Sequence, residues 1–504
     1  MASSSLHSHL ETTKPLLSNH DVSSPDHHEI SEAQTSELNA KSPSLTKTIA
    51  LFMTLHFLLA FTELLLVAPL LKLYEESVCE RFYDGRDGGF VGRYEDGCQV
   101  TEVQRDVARI RGWKSMWDGI VVLLVTIPFG KLGDYIGRKK VIAIALTGVF
   151  FSLSEIFVVC AFPKIFPLQL IWLSSAILLC GGGLNSASSY MWGLAAECIP
   201  ATNRQATPNH ERKIADIYHR SHAFYLIFSA FYIAEMIAST LAALTTDISP
   251  WIPCVLSLLS TLLALILLPF FPSPSPSSHP SSPSHPTSPS NPPPSLLTTL
   301  HTLPPTPLLT IPVLLVGILR YTTLTILIQY AHIHFSQKIS AGAAYYTETA
   351  LINTILFLFL IPKLTSYIRL TYKTNPEKID LFLVRASVAL MCAGSLMLGL
   401  LKSNTYIPIA VAIFASGFGS RVSALALISY SIPAASQPVV YAGITVLESA
   451  GHAVGDPLML HVFAGSLDGR VFFVVAGFYF CAVVSTSFIR ITEREREDER
   501  ERVD

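Results

Sequence analysis

The chain is poor in charge. Asp, Glu, Lys and Arg make up 14% of its 504 residues, while half of it is hydrophobic. Ordinary soluble domains carry about a quarter charged residues, so that class is excluded. A net charge of −2 gives no sign of nucleic acid as a partner. The eight cysteines form no C-x-x-C pair and no metal-ligand spacing, so neither a metal site nor a cofactor is expected. No G-x-x-x-x-G-K-[ST] run occurs, which leaves ATP out as an evident energy source. An embedded enzyme would need paired Asp-rich or His-rich motifs at one interface, and none is present. Nor is any soluble segment large enough to hold an active site, so the chain is read as no enzyme. The first 47 residues lack the apolar stretch of a signal peptide; they are polar, rich in Ser and His, and read as a disordered cytosolic arm.

Apolar length is abundant. A bilayer core needs roughly 20 apolar residues per helix, and twelve such runs can be found. Six lie at about 48–72, 112–131, 141–162, 168–196, 221–244 and 250–271. Six more lie at about 308–331, 342–362, 381–401, 405–429, 437–463 and 470–489. Between Ile248 and Leu319 no residue is charged, and 272–307 is a Ser/Pro/His segment unable to form a packed core. The expected organisation is an N-tail (1–47), a six-helix bundle (48–271), a cytosolic linker (272–307), a second six-helix bundle (308–490) and a charged C-tail (491–504).

Lys and Arg fix the expected topology. Loops after even-numbered spans hold Lys131, Arg138, Lys139, Lys140, Arg204, Arg212, Lys213, Arg220, Lys363, Arg369, Lys373 and Lys378. The short loops of the other side hold only Lys164, Lys338, Lys402 and Arg470. Both termini are therefore expected on the cytosolic side. The fold class that follows is an all-α membrane protein of twelve transmembrane helices.

One turn is more informative than any other stretch. Gly130-Lys-Leu-Gly133-Asp134-Tyr-Ile-Gly137-Arg138-Lys139-Lys140 sits between the apolar runs Val121–Phe129 and Val141–Phe151. Its glycines permit close approach and positive φ, and its basic run marks a cytosolic face. The pattern resembles the signature G-x-x-x-D-x-x-G-R-[RK]-[RK] of the major facilitator superfamily, placed as there between spans 2 and 3. Trp113–Asp118, Cys180–Gly183, Ala234-Glu235 and Glu448–Pro457 make the wider pattern similar to fungal members near the proton-coupled folate transporter group. The resemblance implies two six-helix bundles rocking about one site. It also implies a cytosolic latch in which Asp134 faces the start of span 11 and Arg138 meets an acid at the inner end of span 4, where Glu197 stands. In the second half, Lys363 to Asp380 keeps the basic charge of the turn without its glycines.

Ionisable groups inside a membrane cost about 2.5–3.5 kcal/mol each on insertion scales and persist mainly where they face a cavity or a partner. Glu63, Asp118, Glu155, Glu235, Glu348 and Glu448 are the acids found in the apolar runs, with Arg320 and Arg421 as the bases. Six acids against two arginines leave carboxyls without a cation, as a proton-carrying site requires. The family's cavity-lining spans are 1, 5 and 11, which favours Glu63, Glu235 and Glu448; Glu155 reads as structural. The alternative is that each acid is a neutral hydrogen-bonding group or pairs, for example Arg320 with Glu448. His56, His452 and His461 are relay candidates or satisfied core groups, and Asn185, Gln329 and Asn353 either line the path or bridge helices. Cys79 and Cys98 fall on the oxidising side, where a disulfide would stabilise by roughly 3 kcal/mol.

The sequence thus points to a secondary transporter of a small organic molecule, proton-coupled, lipid-embedded and monomeric. Export of a metabolite or toxic compound is the first reading. Uptake of an organic anion held by Arg320 and Arg421 is the alternative, with a non-transporting nutrient sensor as a third. The drug-antiporter glycine motif of span 5 is absent, since no glycine occurs between Leu194 and Val316. Glu11-Thr-Thr-Lys-Pro-Leu16-Leu17 is one residue off an acidic dileucine signal, and the plasma membrane is expected ahead of the vacuolar membrane.

Overall fold

A computed structural model describes residues 45–84, 97–198, 210–272, 305–372, 376–432 and 437–489. The tails and the Ser/Pro linker expected from sequence lie, apart from their edges, outside these residues. Regular structure among the described residues is helical throughout. This is what a bilayer demands, because a helix satisfies its own backbone polar groups. Eleven helices are long and apolar enough to cross a membrane. The helix Gln437–Ser466, 30 residues long, completes the set in the place of span 11.

Spans 1–6 are Thr46–Tyr83, Thr101–Ile136, Arg138–Ala161, Leu168–Ala195, Leu226–Thr245 and Trp251–Phe270. Spans 7–10 are Thr306–Phe335, Ile339–Ile368, Glu377–Gly399 and Asn404–Tyr430, and span 12 is Arg470–Ser487. Their outward faces carry exposed Leu124, Phe151, Val255, Phe359 and Phe480, a surface suited to lipid and not to water.

Three departures from the sequence-derived boundaries matter. Span 1 runs on as Leu45–Leu65 and Val67–Asp84, well past the expected end near 72. Span 2 starts at Thr101, not near 112. Both extensions are polar in sequence, yet they stay helical because they bury Glu75 and Gln104 against each other and are joined by the Cys79–Cys98 disulfide. Span 4 is broken: short 3₁₀ turns at Leu168–Trp172 and Leu178–Cys180 precede Gly181 at φ 135°. A Cβ on Gly181 would lie 2.5 Å from Ala145 Cα, so glycine both reverses the backbone and admits span 3.

Within the first half, span 3 packs on spans 4 and 6; within the second, span 9 packs on spans 10 and 12, and span 7 on spans 10 and 12. The halves meet along two seams, span 2 against span 11 and span 5 against span 8. Gly112, Gly119 and Gly130 lie on one stripe of span 2, since 112 and 130 are about five turns apart. At Gly112 a Cβ would stand 3.3 Å from Leu460 Cβ, and at Gly119 it would stand 2.5 Å from Ala453 Cα. At Gly130 it would meet none of the described residues within 4 Å. The seam is therefore closed toward the disulfide end, and toward the basic turn no contact across it is made by the described residues at Gly130.

Candidate functional site between the two halves

At the basic turn, span 2 ends at Ile136 and span 3 begins at Arg138, with Gly137 at φ 93° between them. Gly137 is the one glycine of the turn that uses the left-handed region; its N–H donates to Gly133 O at 3.0 Å. Arg138 Nη2 pairs with Asp134 Oδ1 at 3.3 Å. The Arg138 guanidinium also lies flat on span 4, where a Cβ on Gly193 would stand 2.3 Å from Nη1. Lys139 Nζ donates to Phe271 O, at the end of span 6. The turn thus ties spans 2, 3, 4 and 6 together. The side chain of Glu197, the expected acid partner, lies outside the described residues, as do the side chains at the start of span 11 that Asp134 was expected to face. Lys140 is exposed.

Deeper between the halves, charged and aromatic groups converge. Glu63 of span 1 is solvent-accessible although protein surrounds it, so it faces an internal space; His452 of span 11 and Tyr346 of span 8 act on it electrostatically. Glu235 of span 5 is fully buried, 0% exposed; among the described residues neither carboxylate oxygen completes a hydrogen bond by geometry, and the Tyr321 hydroxyl is the group placed to offer one. Arg320 and Tyr321 of span 7 are its electrostatic neighbours. Arg320 makes no ion pair among the described residues; its guanidinium lies 5.2 Å from the Tyr321 ring and 5.4 Å from that of Phe418. Stacked rings line the surroundings, Tyr321 on Tyr346 and, across the halves, Tyr232 on Phe357 at 5.4 Å.

Arg421 takes Glu448 in a bidentate pair, Nε to Oε1 at 2.6 Å and Nη2 to Oε2 at 2.8 Å. The partner of Glu448 is therefore Arg421, and the pairing of Arg320 with Glu448 weighed from sequence does not form. Asp118 is committed within the first half: Lys114 Nζ reaches its two oxygens at 2.6 and 2.5 Å, and Ser175 Oγ donates to Oδ1 at 2.7 Å. Glu348 stands beside Tyr345, outside the group around Glu235, and Glu155 keeps one buried unpaired oxygen on span 3. His56 is held in the core by Ile227 O at 2.9 Å, with Trp192 edge-on at 5.2 Å. Asn353 is buried with both amide atoms unpaired, while Gln329 bridges helices.

Sequence reading missed three charged groups here, so six acids against two arginines was an incomplete balance. Arg111 went unnoticed because span 2 was begun near 112 and its polar start was read as loop, and Lys114, inside the expected span, was passed over as part of the Trp113–Asp118 stretch. Asp456 stands eight residues after Glu448 in span 11, a spacing that puts both near one helix face. It accepts from Thr322 of span 7 and, at 3.1 Å, from Ser115 of span 2; His452 Nδ1 lies 3.4 Å away.

Known proteins give the same picture. The chain is 26% identical to the "Efflux pump ustT" of Aspergillus flavus over 433 residues, covering 82% of this chain and 81% of that one. It is 25% identical to the "MFS efflux pump atnC" of Emericella nidulans over 453 residues, 85% of each. Among solved structures, the human organic anion transporter MFSD10 (TETRAN) superposes with a TM-score of 0.55 at 16% identity, over 88% of this chain and 100% of that one. A D-xylose-proton symporter gives 0.54 at 14% identity, over 88% and 97%. No family model matches the sequence. The signature turn, the helical fold with its two seams, and these relatives together identify the chain as a multi-pass integral membrane transporter of the major facilitator superfamily.

Proposed function

We propose that this transporter exports a small organic metabolite by alternating access, driven by protons that Glu235 carries. The basic turn faces the cytosol with both termini, and the protein works as a monomer in the plasma membrane. The observation that carries the reading is Glu235 itself, a carboxyl buried at 0% exposure that makes no ion pair among the described residues, in the helix that forms one of the two seams. An uncompensated ion so placed costs several kcal/mol, and binding a proton removes that cost. Glu63, facing the accessible space beside His452, is the second carboxyl within reach of the same path. Glu448 is already neutralised by Arg421.

Export is favoured because both relatives that span most of the chain are named efflux pumps. The site also suggests substrate chemistry. Among the described residues Arg320 makes no ion pair and is set against Tyr321 and Phe418, with the Tyr232–Phe357 stack nearby. A planar aromatic compound bearing a carboxylate or phenolic oxygen would satisfy both features. The same unpaired arginine keeps uptake of an organic anion by symport as the second reading.

The test is flux of aromatic acids and neutral aromatics in proteoliposomes under an imposed pH gradient, with Arg320→Gln as the comparison. Export predicts movement against the proton flow, and acid substrates losing at least ~10-fold in Arg320→Gln, the loss of one charge-assisted contact. Accumulation in the direction of the proton flow would replace export by symport.

A further inference from the structure

We infer that Glu75 and His332 form a proton-binding lock holding the disulfide end of the transporter shut. The two residues come from different halves, span 1 and span 7, and are buried, with 6% and 8% exposure. His332 Nε2 stands 2.9 Å from Glu75 Oε1, and Nδ1 stands 2.6 Å from the backbone carbonyl of Gln337. A carbonyl only accepts, so Nδ1 bears the hydrogen. Nε2 then has a hydrogen only if the ring is an imidazolium; otherwise its lone pair faces Oε1, and Oε1 must carry the proton instead. Either way, the closed contact contains at least one proton between the two groups. Without it, a lone pair and a carboxylate would face each other at hydrogen-bond distance in a buried site.

The rest of the cluster fixes Glu75 as an acceptor. Arginine can only donate, so Arg111 Nη1 donating at 3.1 Å sets Gln329 with Oε1 toward it. Gln329 Nε2 then donates to Gln104 at Oε1 and at the backbone O, both 3.0 Å. Gln104 Nε2 donates in turn to Glu75 Oε1 and to Cys98 O. Every donor points from Arg111 toward Glu75. Glu75, Gln104 and Arg111 belong to the first half and Gln329 and His332 to the second, so parting the halves at this end breaks the Glu75–His332, Gln104–Gln329 and Arg111–Gln329 contacts together.

A cavity of about 200 Å³ gives water access to the pair; Lys72, Glu76, Asp247 and Lys338 line it with Glu75 and His332. These are also the charged groups facing the lock. Lys72 and Glu76 share the helix of Glu75, with Lys72 Nζ donating to Thr246 O at 3.2 Å. Asp247, from the turn between spans 5 and 6, pairs with Lys338, from the turn between spans 7 and 8, at 3.5 Å. Arg111 acts from span 2 through Gln329, and Cys98 is held in the disulfide. The two lysines balance the two acids of the rim, which leaves the imidazole as the group able to change charge near neutral pH. Acid at this face keeps the lock closed, and alkali releases it.

The inference rests on the alternating-access reading, but its test involves no substrate. Spin labels are placed at Lys164→Cys and Lys402→Cys, exposed residues of the two halves at the disulfide end. The background has Cys160, Cys180, Cys198, Cys254, Cys392 and Cys481 replaced by alanine, and the full chain is held in nanodiscs. Double electron–electron resonance is recorded at about pH 5.5 and about pH 8.5, bracketing imidazole's ordinary titration. The population at long distance should rise about 10-fold at the higher pH, the change expected if the closed state binds the proton about 10-fold more tightly than the open one. His332→Gln and Glu75→Gln should each remove most of that rise, leaving only what Glu235 contributes, and since they remove the proton from opposite sides, misfolding of one leaves the other decisive. A distribution insensitive to pH in the unaltered lock, or a pH response undiminished in either variant, would overturn the lock. Neither result would bear on export, which the flux assay measures separately.

Discussion

The two ends of span 2 make the instructive comparison. One helix face carries Gly112, Gly119 and Gly130, yet the first two press on span 11 and the third meets none of the described residues within 4 Å. The polar contacts follow the same division. At the disulfide end they cross between halves, from Glu75, Gln104 and Arg111 to His332 and Gln329. At the basic turn the described contacts stay inside the first half, from Arg138 to Asp134 and Gly193 and from Lys139 to Phe271. Closure at one end is built from interhelical hydrogen bonds and backbone proximity. The other end keeps its half rigid while leaving the seam free to part.

The division can be broken at graded strength. Opening the Cys79–Cys98 bridge by Cys79→Ser with Cys98→Ser removes a link across 19 residues and should cost about 3 kcal/mol, read as a lower unfolding midpoint in detergent. Gly119→Leu forces a side chain onto the Ala453 backbone. Overpacking of this kind costs about 1–3 kcal/mol, and spin-label distances at the disulfide end should lengthen. Gly130→Ala is the matched control on the same stripe. With open space there, the gain in helix propensity should stabilise this conformation by about 0.5–1 kcal/mol. Transport should nevertheless slow if the seam must close at that end in the alternate conformation. Equal destabilisation by Gly119→Leu and Gly130→Ala would mean that the seam does not part as described.

Much of the fold was legible in the sequence because lipid imposes apolar length and a glycine-rich basic turn marks the junction of spans 2 and 3. The twelve runs and the Gly130–Lys140 signature needed nothing more. The extensions of spans 1 and 2 were not legible, since Glu75, Gln104 and Arg111 read as loop residues until their partners on span 7 are seen. The central group was half legible. Insertion cost flagged six acids and the family resemblance favoured Glu63, Glu235 and Glu448 among them, but choosing Arg421 over Arg320 as the partner of Glu448 depends on helix rotation, which one sequence does not specify. Asp456 was open to the same scan and was passed over as part of a motif.

The most direct test sets Glu235→Gln against the unaltered protein in one proteoliposome preparation, measuring gradient-driven export and gradient-free substrate exchange. If Glu235 carries the proton, export falls at least ~10-fold, as for loss of a proton-transfer group, while exchange stays within about twofold. Full gradient-driven export in Glu235→Gln, with Glu63 intact, would contradict that assignment.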